Sequence, residues 1–375
     1  MIIAVLLGGA LIVYLIQRLL YQKLWSKSVD VSIHFDERTC VEGSTSTLTE
    51  VVTNRSFLLL PFVHAKFITG YGLRFTEREN IKTSDQNYKN DIFSLLFYQR
   101  ITRRLPFVAA ERGFYKIDNA DVVTSDLFYT VRMVARFPQD TILYVFPRFA
   151  DLSDLEQPLR KMVGELTART FVYPDPFEFK GIRDYTISDP MNTINWKATA
   201  RTGSLMVNTF DSTTQKRIVI LLDVEDETII RYRDLHEESI RLAAALADRF
   251  LSTGSPVRIV TNGRDVESRE TLPKISLNGP GETSDILRTL SRLDLNQAPE
   301  EFYPMIRKEM EDPSYRTAAY ILITPCMKAP LIDAMNDLAT EAAALFIAPL
   351  YSNMTPHFEG SDQLPFYRWE VKGNA

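Results

Sequence analysis

The hydrophobic pattern divides the chain into an apolar start, a strand-rich first half, and a second half in which strands alternate with helices. Residues 2–16 (IIAVLLGGALIVYLI) contain no charged side chain. An uncharged run of this kind predicts a helix in lipid, although a complete span needs about 20 residues. Snorkelling by Arg18 and the interfacial preference of Tyr21 and Trp25 lengthen the predicted span. Residues 1–25 are therefore the predicted transmembrane anchor.

A cleaved signal peptide is the alternative interpretation of this start. Such a peptide has basic residues before its apolar run and a small-residue cleavage site of the A-x-A type, and the sequence has neither. Basic residues follow the run instead, at Arg18, Lys23 and Lys27. The positive-inside rule then predicts a single-pass protein of the cell membrane with its body in the cytoplasm. The two cysteines, Cys40 and Cys326, fit that reducing compartment.

Residues 28–150 consist of short runs in which apolar and polar positions alternate. The clearest are VDVSIHF (29–35), TLTEVVTN (47–54), VHAKFIT (63–69), FVAAERGFYKI (107–117) and TILYVFP (141–147). Alternation with period two, interrupted by polar or glycine-containing turns, is typical of strands with one buried face. We predict an antiparallel β-sandwich over this region.

The pattern changes after residue 215. The run RIVILLD (217–223) is continuously apolar and ends in a carboxylate, which is typical of a strand buried on both faces. Further runs of this kind are PVRIVTN (256–262), AAYILIT (318–324) and ALFIAPL (344–350), with amphipathic helical patterns between them. This alternation predicts an α/β open parallel sheet over 216–350. Residues 351–375 have the composition of a polar tail, and the predicted fold class is α+β with several domains.

Composition narrows the functional classes. The net charge is −5 and the pI is about 5.6, which argues against nucleic acid as a partner because phosphate contacts need a basic surface. The four histidines have no metal-ligand spacing. No phosphate-binding G-x-x-x-x-G-K-[ST] loop, G-x-S-x-G elbow or H-E-x-x-H motif occurs. We therefore expect a protein that is not an enzyme and needs no cofactor.

The segment 151–215 contains the densest group of charged and aromatic residues, in GIRDYTISDPMNTINWKATARTGSLMVNTF (Gly181–Phe210). Its candidate residues are Arg183, Tyr185, Asp189, Trp196, Lys197 and Arg201. Three interpretations are open. The segment could be a structural lock, in which arginines pair with Asp184 or Asp189 while the tryptophan fills a core gap. It could instead dock a partner, since Arg and Trp concentrate binding energy in interfaces. Catalysis is the third.

These residues resemble the signature of a bacterial family, the proteins with domain of unknown function 58. ERGFYKI (111–117), SDLF (125–128) and YVFPR (144–148) resemble the sandwich-like region of the same family. The resemblance implies a membrane-anchored scaffold or adaptor, and a MoxR-type AAA ATPase as its partner. Membrane lipid, contacted through the first helix, is the other expected partner.

The region 216–350 is similar to a von Willebrand factor A domain, and that resemblance implies a metal-ion-dependent adhesion site. Such a site has the motif D-x-S-x-S after its first strand, so that a carboxylate and two hydroxyls bind Mg²⁺ or Ca²⁺. Here Asp223 is kept, but Glu225 stands at the first serine position. Thr283 could supply a hydroxyl, and the third strand ends in Thr324, where an aspartate is expected.

The candidate metal ligands are therefore Asp223, Glu225 and Thr283, in a degraded motif. The simpler interpretation is that Asp223 caps a neighbouring helix. A competing hypothesis for the whole protein places an enzyme site, or a metal-dependent ligand site, at the carboxyl ends of the parallel strands. Ligands usually bind at that edge of an open α/β sheet.

Overall fold

A computed structural model describes residues 2–76, 81–83, 86–172, 179–186, 189, 191–210 and 217–372. The chain divides into two compact units. The first comprises Met1–Arg148 with Leu290–Arg292, and the second comprises Phe149–Thr289 with Leu293–Ala375. The described residues of the segment 151–215 belong to the second unit.

Helix α1 spans Ile2–Ser28, and its part from Val5 to Ser28 is long and apolar enough to cross a membrane. The end of the helix, however, packs on the first unit. Tyr21 and Trp25 are 5% and 4% exposed and join the hydrophobic core of that unit. The Tyr21 hydroxyl also donates to the Leu59 carbonyl oxygen. Both rings therefore contact protein, which the expectation of rings at the membrane–water interface did not include.

The rest of the first unit consists of strands. They are β1 (Val29–Phe35), β2 (Thr39–Val41), β3 (Thr45–Asn54), β4 (Leu60–Gly70), β5 (Leu73–Phe75), β6 (Ile81–Thr83), β7 (Gln86–Leu95), β8 (Arg100–Ala109), β9 (Gly113–Ser125) and β10 (Arg132–Phe146). One sheet has the order β1-β3-β8-β5 and the other β2-β10-β9-β4-β7-β6. Buried residues of both sheets form one core. The two sheets therefore make a sandwich.

Alternation in the sequence explains this arrangement. In β1 the buried and exposed positions alternate strictly, so Val29, Val31, Ile33 and Phe35 enter the core. Two details differ from the predicted antiparallel sandwich. The run 107–117 is divided between β8 and β9 by a turn, and β10 pairs with β2 in parallel.

The second unit mixes helices and strands. Its elements are α2 (Glu156–Val172), β11 (Phe179–Asp184), α3 (Trp196–Thr202), β12 (Met206–Phe210), β13 (Arg217–Leu222), α4 (Arg233–Ser252), β14 (Val257–Thr261), β15 (Arg264–Asp265), β16 (Ile275–Leu277), α5 (Thr283–Arg292), β17 (Leu293–Asp294), α6 (Tyr303–Met310), β18 (Ala318–Ile323), α7 (Ala329–Glu341), β19 (Ala343–Tyr351) and β20 (Phe366–Val371). The main sheet has the order β16-β14-β13-β18-β19-β20.

The main sheet is mixed. The predicted strands that begin at 217, 256, 318 and 344 are present as β13, β14, β18 and β19, and they pair in parallel. Strand β16 is antiparallel to β14 at one edge. At the other edge β20 pairs in parallel with β19. Strand β20 lies in the region expected to be a polar tail, so that expectation is wrong.

Continuous apolar runs form the middle of this sheet because both of its faces are covered. All six residues of β18 are buried, as are the last five of β13. Helix α4 packs against β13 and β19, and twelve of its side chains are buried. The loops that follow β13, β14 and β18 all leave from one edge, called the carboxyl edge below.

Candidate functional site

The segment Gly181–Phe210 folds into a small β-α-β element. Strands β11 and β12 pair antiparallel, and the short helix α3 lies between them in sequence. The Asn195 side chain accepts a hydrogen bond from the Ala198 N–H and so caps the start of α3. Gly203 ends the helix with a φ of 73°, a left-handed conformation that favours glycine. These caps fix both ends of a helix of only seven residues.

The turn after β11 is held by Arg183 and Asp189. The guanidinium of Arg183 donates two hydrogen bonds to the carboxylate, at 2.7 and 2.6 Å. Thr186 adds one bond from its backbone N–H and one from its hydroxyl, both at 2.8 Å. Donation by Arg183, followed by that from Thr186, lowers the pKa of Asp189 well below its usual range. This ion pair is one of those expected in the lock interpretation.

Trp196 does not fill a core gap, as the lock interpretation supposed. It is the first residue of α3, and 67% of it is exposed. Lys197 and Arg201 are exposed on the same helix, and neither has an ion pair among the residues that the structure describes. Tyr185 is half-buried, and its backbone N–H donates to the Leu205 carbonyl oxygen.

Several apolar side chains around α3 are also exposed. We call the set the signature surface: Ile182, Met191, Trp196, Lys197, Arg201 and Leu205. It combines one large aromatic ring, three aliphatic or thioether side chains and two cations. Such a combination is typical of a surface that contacts another protein, because aromatic residues, Met and Arg are enriched at the cores of interfaces.

The carboxyl edge contains the candidate metal position. Asp223, directly after β13, is completely buried. Its Oδ1 accepts from the Glu225 N–H at 2.9 Å and from the Asn262 amide at 2.7 Å, and its Oδ2 accepts from the Thr324 hydroxyl at 2.9 Å. Burial raises the pKa of Asp223 to about 6, although these three donors oppose the shift. The carboxylate therefore joins the loops that follow β13, β14 and β18.

These donors would compete with a cation. The three hydrogen bonds occupy three of the roughly four lone-pair sites of the Asp223 carboxylate, and Glu225 binds the ammonium group of Lys328. Among the described residues, no group of three or more His, Cys, Asp or Glu side chains is placed to hold a metal.

Thr283 is not brought beside Asp223. Strand β16 runs antiparallel to β14 and ends at Leu277, opposite Val257, so it returns the chain to the amino edge of the sheet. Thr283 then begins α5, whose ten residues lead to β17 at the carboxyl edge. A helix of that length measures about 15 Å. The hydroxyl that contacts Asp223 belongs to Thr324, and the antiparallel edge strand is the reason that the prediction of Thr283 fails.

A cleft of about 530 Å³ lies beside this network. Its lining includes Glu225, Asp226, Arg231, His236 and Lys328. The buried His236 has its Nε2 2.8 Å from an Asp226 carboxylate oxygen. Burial opposes ionisation of Asp226, but the hydrogen bond with His236 lowers its pKa overall. Charges of both signs thus line the cleft, and most of them are already paired.

Residues 181–348 match the family model described as "Protein of unknown function DUF58". The match begins at Gly181 and includes the whole signature surface. This finding supports the family resemblance. The matched residues include the segment that resembles DUF58. The match does not itself support the resemblance to a von Willebrand factor A domain.

A curated relative is the "Uncharacterized protein YeaD" of Bacillus subtilis (strain 168). It is 21% identical over 228 residues, which cover 61% of this chain and 54% of the relative. The chain therefore spans about half the length of this relative. Two solved structures are similar to parts of the chain: the sixth cohesin of Acetivibrio cellulolyticus scaffoldin B (15% identity, 32% of this chain, 99% of that chain, TM-score 0.22) and a CARDB domain from Pyrococcus furiosus (15%, 31%, 90%, 0.20). Scores at this level do not establish a common fold.

Sequence reasoning missed Asn262 and Lys328, and it named Thr324 without recognising it as a partner of Asp223. The sequence does contain a signal for Asn262 and Thr324. Asn262 and Thr324 each directly follow a parallel strand of the main sheet. Because parallel strands end at the same edge, polar residues at equivalent positions after neighbouring strands meet in space.

Proposed function

We propose that this protein is a membrane-anchored, non-enzymatic scaffold or adaptor that docks a partner protein on the signature surface. The observation that carries the proposal is that Trp196 is exposed on α3, the same short helix that exposes Lys197 and Arg201. Tryptophan and arginine are among the residues that most often contribute the largest part of the binding energy in a protein interface. The two cations favour a partner with an acidic surface.

The local structure supports docking by holding this surface in one shape. The caps at Asn195 and Gly203 fix α3, and the Arg183–Asp189 pair fixes the turn before it. A surface that is already ordered loses less conformational entropy when it binds. In this proposal the Arg183–Asp189 pair holds the segment in shape and Trp196 contacts the partner. The lock interpretation then describes the ion pair, and the docking interpretation describes the exposed surface.

The second unit, in this proposal, is a von Willebrand factor A-like domain that has lost its metal function. Parallel strands covered by helices are consistent with that, and the donors around Asp223 argue against a cation. Helix α1 is the single-pass anchor in the cell membrane. Lys23 and Lys27 near its end favour a cytoplasmic position of the body.

The partner that the family resemblance implies is a MoxR-type AAA ATPase. We therefore propose capture of this ATPase by the full-length protein in detergent as the test. Trp196→Ala and Arg201→Ala are expected to abolish capture without lowering Tm, because both side chains are exposed. Ile229→Ser is the matched control, since Ile229 is fully exposed on a loop at the carboxyl edge.

Each variant separates two interpretations. Equal capture by Trp196→Ala and the unchanged protein would contradict docking on the signature surface. A lower Tm of Arg201→Ala would instead favour a purely structural role for the segment. If Ile229→Ser were the only variant to lose capture, the interface would lie at the carboxyl edge and not on the signature surface.

A second candidate function is ligand binding or catalysis in the cleft at the carboxyl edge. The His236–Asp226 pair, beside a cleft at the usual ligand position of an open α/β sheet, is the observation in its favour. Screening small anions and nucleotides should then find a ligand that raises Tm. His236→Asn should abolish that rise. In the adaptor proposal, His236→Asn leaves capture of the partner unchanged.

A further inference from the structure

Three turns at one end of the sandwich expose large apolar side chains. They connect β3 with β4, β7 with β8, and β9 with β10. We call the following set the turn surface: Phe57, Phe97, Tyr98, Leu127, Phe128 and Tyr129. These residues are 46% to 70% exposed. A cluster of this kind, with three turns contributing to it, usually marks a contact with another protein or with a membrane.

The turn surface lies beside the apolar helix. The Tyr14 hydroxyl donates to the Thr130 hydroxyl at 3.2 Å, and the Tyr14 ring is 6.3 Å from that of Phe128. The Tyr21 hydroxyl donates to the Leu59 carbonyl oxygen in the first turn. The Tyr98 N–H donates to the Ser56 carbonyl oxygen, which joins the second turn to the first.

The position of Tyr14 along α1 indicates which environment the turn surface contacts. Exposed apolar residues continue past Tyr14 on the free face of the helix, at Leu15, Ile16, Leu19 and Leu20. Six residues of helix correspond to about 9 Å. If these side chains lie in lipid, the turn beside Tyr14 lies at the depth of a lipid-exposed part of the helix.

We propose that the turn surface inserts into the interfacial layer of the same bilayer that α1 crosses. The proposal rests on the membrane anchoring proposed above. It assigns the sandwich a second, independent contact with lipid. The sandwich would then be held in a fixed orientation on the membrane rather than suspended from a single helix.

The backbone of the third turn suits a position in lipid. Asp126, which is buried, accepts hydrogen bonds from the Thr130 N–H at 2.6 Å and from the Val131 N–H at 2.9 Å. The Tyr129 N–H donates to the Asp126 carbonyl oxygen. Three consecutive N–H groups are thus satisfied inside the turn. Unpaired N–H groups are costly where water is absent, so this arrangement removes a main obstacle to insertion.

Basic residues follow two of the apolar turns. Arg100 and Arg132 begin the strands that follow the second and third turns, and both are exposed. Long basic side chains in such positions reach the headgroup layer while apolar neighbours enter the acyl region. The acidic residues near these turns are engaged: Asp126 in the turn itself and Asp30 in an ion pair with Arg55.

The test uses the full-length protein in phosphatidylcholine vesicles, with a fluorescent NBD label on a single introduced cysteine. Phe128→Cys and Phe97→Cys place the label in different turns, so the test does not depend on one variant. Thr45→Cys is the control, because Thr45 is exposed at the opposite end of β3 from Asn54. Ten residues of strand separate these ends by about 30 Å. The natural cysteines are buried, and the unmodified protein measures any labelling of them.

We expect nitroxide groups on the lipid chains to quench the labels at positions 97 and 128 and to leave the label at 45 bright. A water-soluble quencher should have the reverse effect. Labels at 97 and 128 that are as accessible to the soluble quencher as the label at 45 would overturn the insertion. So would labels protected from both quenchers, which would mean that protein, such as a second copy of this chain, covers the turns.

Failure of the anchor is recognised separately. A chain that alkaline carbonate extracts from the vesicles would contradict both the anchor and the insertion. A chain that stays in the vesicles, with its turn labels exposed to water, would overturn the insertion alone.

Discussion

Arg183 and Asp189 form a bidentate ion pair, with the two guanidinium nitrogens 2.7 and 2.6 Å from the two carboxylate oxygens. The pair joins the end of β11 to the turn that leads to α3. Nearly half of the arginine side chain is exposed, whereas the carboxylate is largely covered. Its role is therefore geometric: it fixes the turn from which the signature surface projects.

Arg183→Lys tests that role. Lysine keeps the charge but cannot donate two parallel hydrogen bonds to one carboxylate, so we expect a small decrease in Tm. Arg201→Lys is the matched control and should leave Tm unchanged, because Arg201 is exposed and has no ion pair among the described residues. Thermal unfolding followed by circular dichroism measures both. Equal Tm values for the two variants would contradict the role.

Divalent cations should leave Tm unchanged. The Asp223 oxygens already accept three hydrogen bonds, and Lys328 neutralises Glu225. A ligand that binds only the folded state would raise Tm as its concentration increases. A titration with Mg²⁺ and Ca²⁺, monitored by thermal shift against an EDTA blank, measures the effect. A rise in Tm that disappears in Asp223→Asn would restore the metal-site hypothesis.

The raised pKa of Asp223 predicts a pH dependence of stability. Burial raises this pKa from an ordinary 3.8 to about 6. Between these values the folded state holds a proton that the unfolded chain has released, so stability should fall as pH rises from about 4 to about 6. Asp223→Asn cannot titrate and should flatten this part of the curve of Tm against pH. An unchanged slope in the variant would show that another group causes it.

A second buried carboxyl group lies inside the sandwich. Glu50 and Asp91 are completely buried, and Arg103 donates to Asp91 at 2.9 Å. Burial, and then the charge of Asp91, raise the pKa of Glu50 well above its ordinary value. The sign is the same as for Asp223: the folded state keeps the proton, and stability falls as pH rises above the ordinary glutamate range.

Glu50→Gln should therefore reduce the loss of stability between about pH 4.5 and about pH 8, the interval in which only the folded state keeps the proton. Glutamine has nearly the same shape and never ionises, so packing is retained. Urea unfolding at several pH values gives the free energy of unfolding of both proteins. Glu37→Gln is the control on the same unit, because Glu37 is exposed. A pH dependence that is the same in Glu50→Gln and the unchanged protein would contradict the assignment of this stability change to Glu50.

The hydrophobic pattern of the sequence predicted many of the strands and helices. It did not predict which residues far apart in the sequence contact one another. Period two was sufficient for β1, and a continuous apolar run was sufficient for β13, because each signal is local to its strand. Tyr21 and Trp25 were placed at the membrane interface because aromatic residues after an apolar run favour it. In the structure they pack into the sandwich, and no local pattern distinguishes a ring that contacts lipid from one that contacts protein.

The sites divide in the same way. The sequence identified Arg183, Asp189 and Trp196 as a group because they lie within 14 residues of one another. It could not decide which of them is exposed. The hydroxyl beside Asp223 was assigned to Thr283 instead of Thr324, because the antiparallel β16 that returns the chain to the amino edge has only three residues and no strong pattern.

By itself the sequence determined the apolar helix, the strand-rich and α/β halves, and the segment related to DUF58, since hydrophobic period and local motif are properties of neighbouring residues. The tertiary structure decided the rest. It exposed Trp196, enclosed Asp223 among donors from three loops, and gathered three turns from residues 55 to 131 beside Tyr14. Those contacts depend on how sheets pair and pack, which joins residues that lie far apart along the chain.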